Sequence, residues 1–113
     1  MNIEDQILYE DILMIARFMG GVINSSGIIE KNPKEAPMDV VGYNAFGFLL
    51  YDDSWEWLMP VIEKIELMNP EISFVMYNNY SQYDSDEFVG TDKLNAAFIG
   101  VIAVIKSINA LLN

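Results

Sequence analysis

Residues 54–66 read SWEWLMPVIEKIE, and this stretch predicts the central helix of the chain. Ser54 is the expected N-cap, and Asn69-Pro70 is the expected stop. Apolar residues recur every three or four positions with acids on the opposite side, which is typical of an amphipathic helix. Its predicted core face carries Trp55, Leu58, Val61, Ile62 and Ile65, and its polar face carries Glu56, Glu63 and Glu66.

The two tryptophans of this helix point in different directions. Trp57 lies about 200° around the axis from Trp55, because each helical residue turns by about 100°. We therefore expect Trp55 in the core and Trp57 on the flank of the helix, beside Val61 and Met68. Pro60 has no amide N–H, so we expect a kink there.

The segments on either side of this helix predict strands. Residues 22–30, centred on Asn24-Ser25-Ser26-Gly27, predict a short hairpin, and residues 31–37, polar and bracketed by prolines, predict a flexible loop. Residues 43–51 are apolar on both sides and predict a covered central strand, while residues 71–79 alternate and predict another strand. With three helices in the order α-ββ-β-α-β-α, the prediction is an α+β fold with a small mixed or antiparallel sheet of about three to four strands.

The start of the first helix depends on Asp11. The helix is expected to end at Gly20-Gly21 and to begin near either Glu4 or Asp11. In a continuous helix the Asp11 carboxylate would lie among apolar side chains, which is costly without a partner. As an N-cap, Asp11 would accept hydrogen bonds from free amides, and we favour this cap or a break near it.

Residues 91–113 predict an apolar last helix with Thr91 as its N-cap. Beside its core face, the small residues Ala96, Gly100, Ala103, Ser107 and Ala110 form a stripe that lets another helix approach closely. That helix is either part of the same chain, which we favour, or part of a second copy in a homodimer. The candidates for self-association are Ala96, Ile99, Gly100, Ile102 and Ala103.

Three parts of the chain resemble a group of small proteins common in gut Bacteroidetes and their phages. The resemblance lies in SWEWLMPVIEKIE, in residues 15–20 (IARFMG) and in the apolar helix of residues 91–113. The chain departs from the group at Arg17, where an acid is expected, and in residues 1–10, which form an N-terminal extension. The resemblance implies a compact α/β sandwich similar to a phage-associated α-β-α domain. It implies no activity and no functional residues.

Composition predicts one soluble, cytoplasmic domain spanning residues 1–113. This length accommodates a single core, and 52% of the residues are hydrophobic. The absence of cysteine excludes disulfides and thiolate chemistry. The acidic start argues against a signal peptide, and the apolar run at 96–105 is too short to cross a bilayer.

The formal net charge is −11, from six basic and seventeen acidic residues. This charge argues against direct binding to nucleic acid or to an anionic membrane. The acids are spread along the chain, which favours an acidic surface that aids solubility over a surface that imitates nucleic acid or docks on a basic partner.

Catalytic residues are scarce. Without histidine or cysteine the chain lacks the common general base and the common nucleophile pairs, and it has no phosphate-binding glycine motif. The Asp52-Asp53 pair is expected at the helix entry beside Ser54. Residues 84–87 could hold calcium or magnesium weakly, but they lack the spacing and glycine of an EF-hand loop. We therefore predict no catalytic, cofactor or metal site, and no enzyme.

One segment has the composition of a recognition surface. Tyrosine, asparagine and serine supply contact area and adaptable hydrogen bonds, although a solvated loop with tyrosines lying on apolar surface has the same composition. The candidate binding residues are Tyr77, Asn78, Asn79, Tyr80 and Tyr83. The predicted function is a phage- or mobile-element-associated accessory protein that binds another protein. The alternatives are an acidic inhibitor or nucleic-acid mimic directed at a host enzyme, and a small-ligand sponge with a tyrosine-lined pocket.

Overall fold

The computed structural model describes residues 2–112 and arranges them as helices and two small antiparallel sheets. The α+β class is confirmed, but the predicted single sheet is in fact one two-stranded and one three-stranded sheet. The elements are α1 (Ile3–Phe18), β1 (Val22–Ile23), β2 (Ile29–Lys31), α2 (Ala45–Phe48), α3 (Trp55–Met68), β3 (Phe74–Tyr77), β4 (Tyr80–Tyr83), β5 (Asp86–Val89) and α4 (Lys93–Leu112).

Helix α1 runs through Asp11 without a break, so the favoured cap at Asp11 is wrong. The N-cap is Asn2, whose side chain accepts a hydrogen bond from the Asp5 amide at 2.8 Å. The Asp11 carboxylate is tolerated inside the helix because Lys106 of α4 lies 3.7 Å away. The predicted end is confirmed, since α1 stops at Phe18 and Gly20 adopts a φ of +83° that favours glycine.

The hairpin predicted at residues 22–30 is confirmed as β1 paired with β2. The Asn24 side chain shapes its turn by accepting from the amides of Ser26 at 2.9 Å and Ile28 at 3.0 Å. The following loop is anchored at two points: the Lys34 amide donates to the Met19 carbonyl at 2.8 Å, and the Val40 amide donates to Asn32 Oδ1 at 2.9 Å. The flexibility of residues 31–37 stays a prediction.

The central strand predicted at residues 43–51 is wrong. Gly42 and Gly47 have φ values of +90° and +107°, and the Asn44 side chain accepts from the Phe46 amide at 3.0 Å, so the backbone turns repeatedly. The segment contains the four-residue α2 and contributes Leu49 and Tyr51 to the core. The apolar run at residues 43–51 predicted a buried strand, but several side chains of this run are exposed.

Helix α3 confirms the predicted core positions Leu58, Val61, Ile62 and Ile65. The burial of the two tryptophans is the reverse of the prediction: Trp57 is 3% exposed, whereas Trp55 is only partly buried. The reason is that Tyr51 covers the flank of α3, and its ring meets that of Trp57 edge to face at 5.3 Å and 85°. The helix continues through Pro60, and Ser54 is the N-cap residue without a side-chain capping bond.

Helix α4 begins with Asp92 rather than Thr91 as its capping side chain. The Asn95 amide donates to Asp92 Oδ1 at 2.8 Å, and Asn95 Oδ1 in turn accepts from the Thr91 amide at 2.9 Å. The small-residue stripe of α4 meets the three-stranded sheet instead of the expected helix. A Cβ at Gly100 would lie 2.9 Å from Ser81 Oγ and 3.1 Å from Phe88 Cδ2.

Within residues 2–112, α4 is the helix that is long and apolar enough, by length and composition alone, to cross a membrane. The apolar stretch thus extends beyond residues 96–105, which corrects the predicted limit. Core helices of soluble proteins pass the same test. The α4 residues buried in this compact chain are Ala96, Ala97, Phe98, Gly100, Val101, Ile102, Val104 and Ile105.

Candidate functional site

The tyrosine-rich segment at residues 77–83 forms part of a hairpin. Tyr77 ends β3, Asn78 and Asn79 form the turn, and Tyr80 begins β4 directly opposite Tyr77. Asn78 has a φ of +51°, a left-handed conformation that asparagine tolerates better than most residues. A second tight turn leads from Tyr83 to β5, which the sequence analysis missed.

Strand alternation and register divide the sheet into two faces. The face turned away from α4, here called the outer sheet face, is substantially exposed: Tyr77 is 53% and Val89 is 68% exposed. Tyr83 lies on the opposite face, whose Ser81 and Phe74 are buried. The predicted binding residue Tyr83 is thus separated from Tyr77 and Tyr80. The outer sheet face consists of Val75, Tyr77, Tyr80, Gln82, Glu87 and Val89.

Two tyrosines and one carboxylate form the polar centre of the outer sheet face. The rings of Tyr77 and Tyr80 lie 4.9 Å apart between centroids and are tilted by 38°. The Tyr80 hydroxyl donates to Glu87 Oε1 at 2.9 Å and also lies 3.1 Å from Gln82 Oε1. The hydrogen bond to Glu87 raises the pKa of Tyr80 to about 12, with smaller contributions from desolvation and the Glu87 charge. Tyr80 is therefore a neutral hydrogen-bond donor at neutral pH.

Hydrogen bonds to α3 and α4 hold the strands of the outer sheet face in position. The buried Ser81 hydroxyl donates to the Ala96 carbonyl of α4 at 2.7 Å. At the first strand, the Phe74 amide donates to Glu66 Oε2 of α3 at 2.9 Å. Both bonds fix strands against helices, so the exposed side chains project from an ordered backbone.

The self-association candidates lie mostly inside the chain. Ala96, Gly100 and Ile102 are buried, Ala103 is partly buried, and Ile99 is the exposed member of the set. An apolar area does remain beside the last helix, where the ends of α3 and α4 border a groove of about 280 Å³. Of the large apolar side chains that line this groove, Met68 and Leu111 are exposed. Self-association stays a prediction.

A second aromatic surface was missed because residues 43–51 were assigned to a covered strand. Tyr43 stacks on Phe48 with centroids 4.6 Å apart, and Phe46 meets Tyr9 of α1 edge to face at 5.6 Å. The signal that could have found it is a pair of glycines with positive φ values, Gly42 just before the apolar run and Gly47 inside it.

The acidic cluster at residues 84–87 lies at the turn between β4 and β5. Asp84 has a φ of +57°, and within residues 2–112 no group of three or more acids, histidines or cysteines is placed to hold a metal ion. The grooves on the described surface include five of about 170 to 420 Å³, and Tyr43, Tyr77 and Tyr80 line none of these five. Tyr83 lines two of them, one beside Phe88 and Ala103 and one beside Met68 and Leu111.

Comparisons with protein families, with curated proteins and with solved structures found no match to this chain.

Proposed function

We propose that this chain is an accessory protein that acts by binding another protein through the outer sheet face. One observation carries the proposal: Val75, Tyr77 and Val89 are exposed on a sheet whose other face is packed against α4. Large apolar and aromatic side chains held on an ordered backbone lose little conformational entropy on binding, which is why tyrosine is enriched at protein interfaces.

The outer sheet face supports this proposal better than the second aromatic surface does. Both surfaces contain aromatic pairs: Tyr43 with Phe48 and Tyr9 with Phe46 at the second surface, and Tyr77 with Tyr80 on the outer sheet face. On the outer sheet face, Tyr77 and Tyr80 share their face with polar Gln82 and Glu87, a mixture typical of interfaces that form and dissociate.

The proposed setting is the cytoplasm, in association with a phage or mobile element. The proposed function includes no catalytic step. The resemblance at residues 54–66, 15–20 and 91–113 supports this setting, and the lack of histidine and cysteine supports binding over catalysis. An acidic inhibitor or nucleic-acid mimic directed at a host enzyme is the second candidate, favoured by the net charge of −11.

The test compares two tyrosines of equal exposure on different surfaces. Tyr77 is 53% and Tyr43 is 52% exposed, so Tyr77→Ala and Tyr43→Ala remove similar accessible area. Captured proteins from a gut Bacteroidetes lysate are quantified by mass spectrometry for each variant. We expect Tyr77→Ala to lower the specific captures by about fivefold or more, since an interface tyrosine contributes about 1 kcal/mol or more.

In the same experiment Tyr43→Ala should retain the captures, and both variants should keep cooperative unfolding because surface substitutions cost little. Retention of the same proteins at the same level by Tyr77→Ala would remove the outer sheet face from the proposal.

A further inference from the structure

The chain segment that forms the outer sheet face carries charge of one sign. Residues 65–92 contain no lysine or arginine, and their acids are Glu66, Glu71, Asp84, Asp86, Glu87 and Asp92. The basic residues that bound this stretch are Lys64 and Lys93. Lys64 donates to the Phe18 carbonyl and lies 4.2 Å above the Phe18 ring, so it is engaged elsewhere. The face therefore combines aromatic rings with the Glu87 carboxylate, within a chain segment whose charged residues are all acidic.

We propose that the outer sheet face binds a basic segment of a protein, with an arginine or lysine side chain lying against Tyr77 and Tyr80 beside the Glu87 carboxylate. This inference rests on the proposed function and names the chemistry of the partner. Charge complementarity favours such a partner, because an aromatic ring face attracts a cation and a guanidinium also bonds to a carboxylate. The two rings and the Glu87 carboxylate are already joined through the Tyr80 hydroxyl.

Other occupants fit this charge poorly. A second copy of the chain would bring another net charge of −11 and another Glu87 against the same face. A nucleic-acid backbone would be repelled for the same reason. Lysine and arginine carry long apolar stems that can cover Val75 and Val89 while their charged ends reach the acids.

The experiment uses the full chain and three blocked hexapeptides. The first alternates arginine with valine, the second has citrulline in place of arginine, and the third has glutamate. Citrulline keeps the shape of the arginine side chain and removes its charge, so it isolates the electrostatic part of binding. Amide resonances followed by NMR during titration give both the location and the affinity of binding.

We expect the arginine peptide to shift the amides of Val75, Tyr77, Tyr80 and Val89. The citrulline peptide should bind about fivefold more weakly or worse, and the glutamate peptide should not bind. Raising the salt concentration to about 0.5 M should weaken the arginine peptide selectively, because exposed charges are then screened.

Two matched variants test the role of Glu87. Glu87→Gln removes the charge but keeps an oxygen that can accept from Tyr80, and we expect it to weaken the arginine peptide about threefold to fivefold. Glu30 is also an exposed strand carboxylate with a neighbouring side-chain donor, Asn24 at 3.4 Å, so Glu30→Gln is the control and should leave the affinity unchanged.

Each contrary outcome has a separate meaning. Three results would overturn the proposal of a basic partner. They are equal affinity for the arginine and citrulline peptides, amide shifts confined to another surface, and no amide shifts at millimolar peptide. A dimer seen by light scattering that Tyr77→Ala dissolves would assign the face to a second copy and would likewise overturn it. The wider proposal of protein binding fails separately, when Tyr77→Ala captures the same lysate proteins as the unaltered chain.

Discussion

Gly100 and Ser81 set the distance between α4 and the three-stranded sheet. Ser81 is fully buried, and its hydroxyl donates to the Ala96 carbonyl one turn before Gly100. The missing Cβ at Gly100 leaves room for this hydroxyl and for the ring of Phe88. A glycine in a helix normally destabilises it, so its presence here is explained by the close approach of the strand.

We predict that Gly100→Ala destabilises the chain by about 1 to 3 kcal/mol, although the same change in an exposed helix stabilises by about 1 kcal/mol. The added Cβ would lie 2.9 Å from Ser81 Oγ. Ser81→Ala removes this oxygen, so the cost of Gly100→Ala should fall by at least about 0.5 kcal/mol in that background. Urea unfolding of the four proteins measures the coupling. A stabilising Gly100→Ala would mean that the sheet does not approach α4 at this point.

At the scale of whole elements, the long helices and the hairpin of β1 and β2 were predictable, whereas β5 and the turns of residues 43–51 were not. Residues 54–69 carry a cap, a 3.6-residue period and a stop, and these agree with α3. Strand β5 has only four residues, of which Asp86 and Glu87 are acidic, so its apolar signal is weak. The prediction for residues 43–51 failed for the opposite reason: they are mostly apolar, but the positive-φ Gly47 inside the run, with Gly42 just before it, prevents a continuous strand.

The candidate site was partly predictable. Composition identified Tyr77, Asn78, Asn79 and Tyr80, and the hairpin brings them together at one end of the sheet. Assigning Tyr83 to the same surface was wrong, because strand alternation turns it to the face that packs on α4. Val75 and Val89 were not predicted as part of the site. Their place on the outer sheet face depends on the register of three strands, which local composition does not specify.

The reversal of the tryptophans in α3 makes a prediction about that helix. Trp57 is 3% exposed and packed against Tyr51, so Trp57→Ala should cost about 3 to 5 kcal/mol. Trp55 is partly buried, and Trp55→Ala should cost roughly half as much or less. Denaturant unfolding gives both values. Tryptophan fluorescence adds a control, because the variant that keeps only Trp57 should emit at shorter wavelength than the variant that keeps only Trp55.

For the whole molecule, the excess of acids acts on stability as well as on binding. The chain has seventeen acids and only six basic residues, so the excess negative charges repel one another in the compact state at neutral pH. Two carboxyl groups, those of Asp52 and Asp11, make a specific contribution to the pH dependence of stability. Burial raises the pKa of Asp52, with the neighbouring Asp53 charge acting in the same direction, and burial also raises the pKa of Asp11 despite the opposing effect of Lys106.

These raised pKa values predict that the chain is more stable in mild acid than at neutral pH. Each carboxyl binds its proton more tightly in the folded than in the unfolded chain, whose ordinary pKa is 3.8. The resulting stability is fully present below pH 3.8 and is lost as the pH rises through the folded pKa. The free energy of unfolding should therefore increase as the pH falls from about 7 toward about 4.5.

Asp52→Asn supplies the variant that tests the origin of this pH dependence. Because Asp52 is only partly buried, removing its charge should raise the stability at pH 7 by less than about 1 kcal/mol and flatten the pH profile. Glu4→Gln, at an exposed position of α1, is the control and should leave the slope nearly unchanged. Urea unfolding is measured across the pH series with and without about 0.5 M salt, which screens general repulsion but acts less on a partly buried group. A stability that falls steadily from pH 7 to pH 4.5, or a slope that Asp52→Asn does not alter, contradicts the assignment to Asp52.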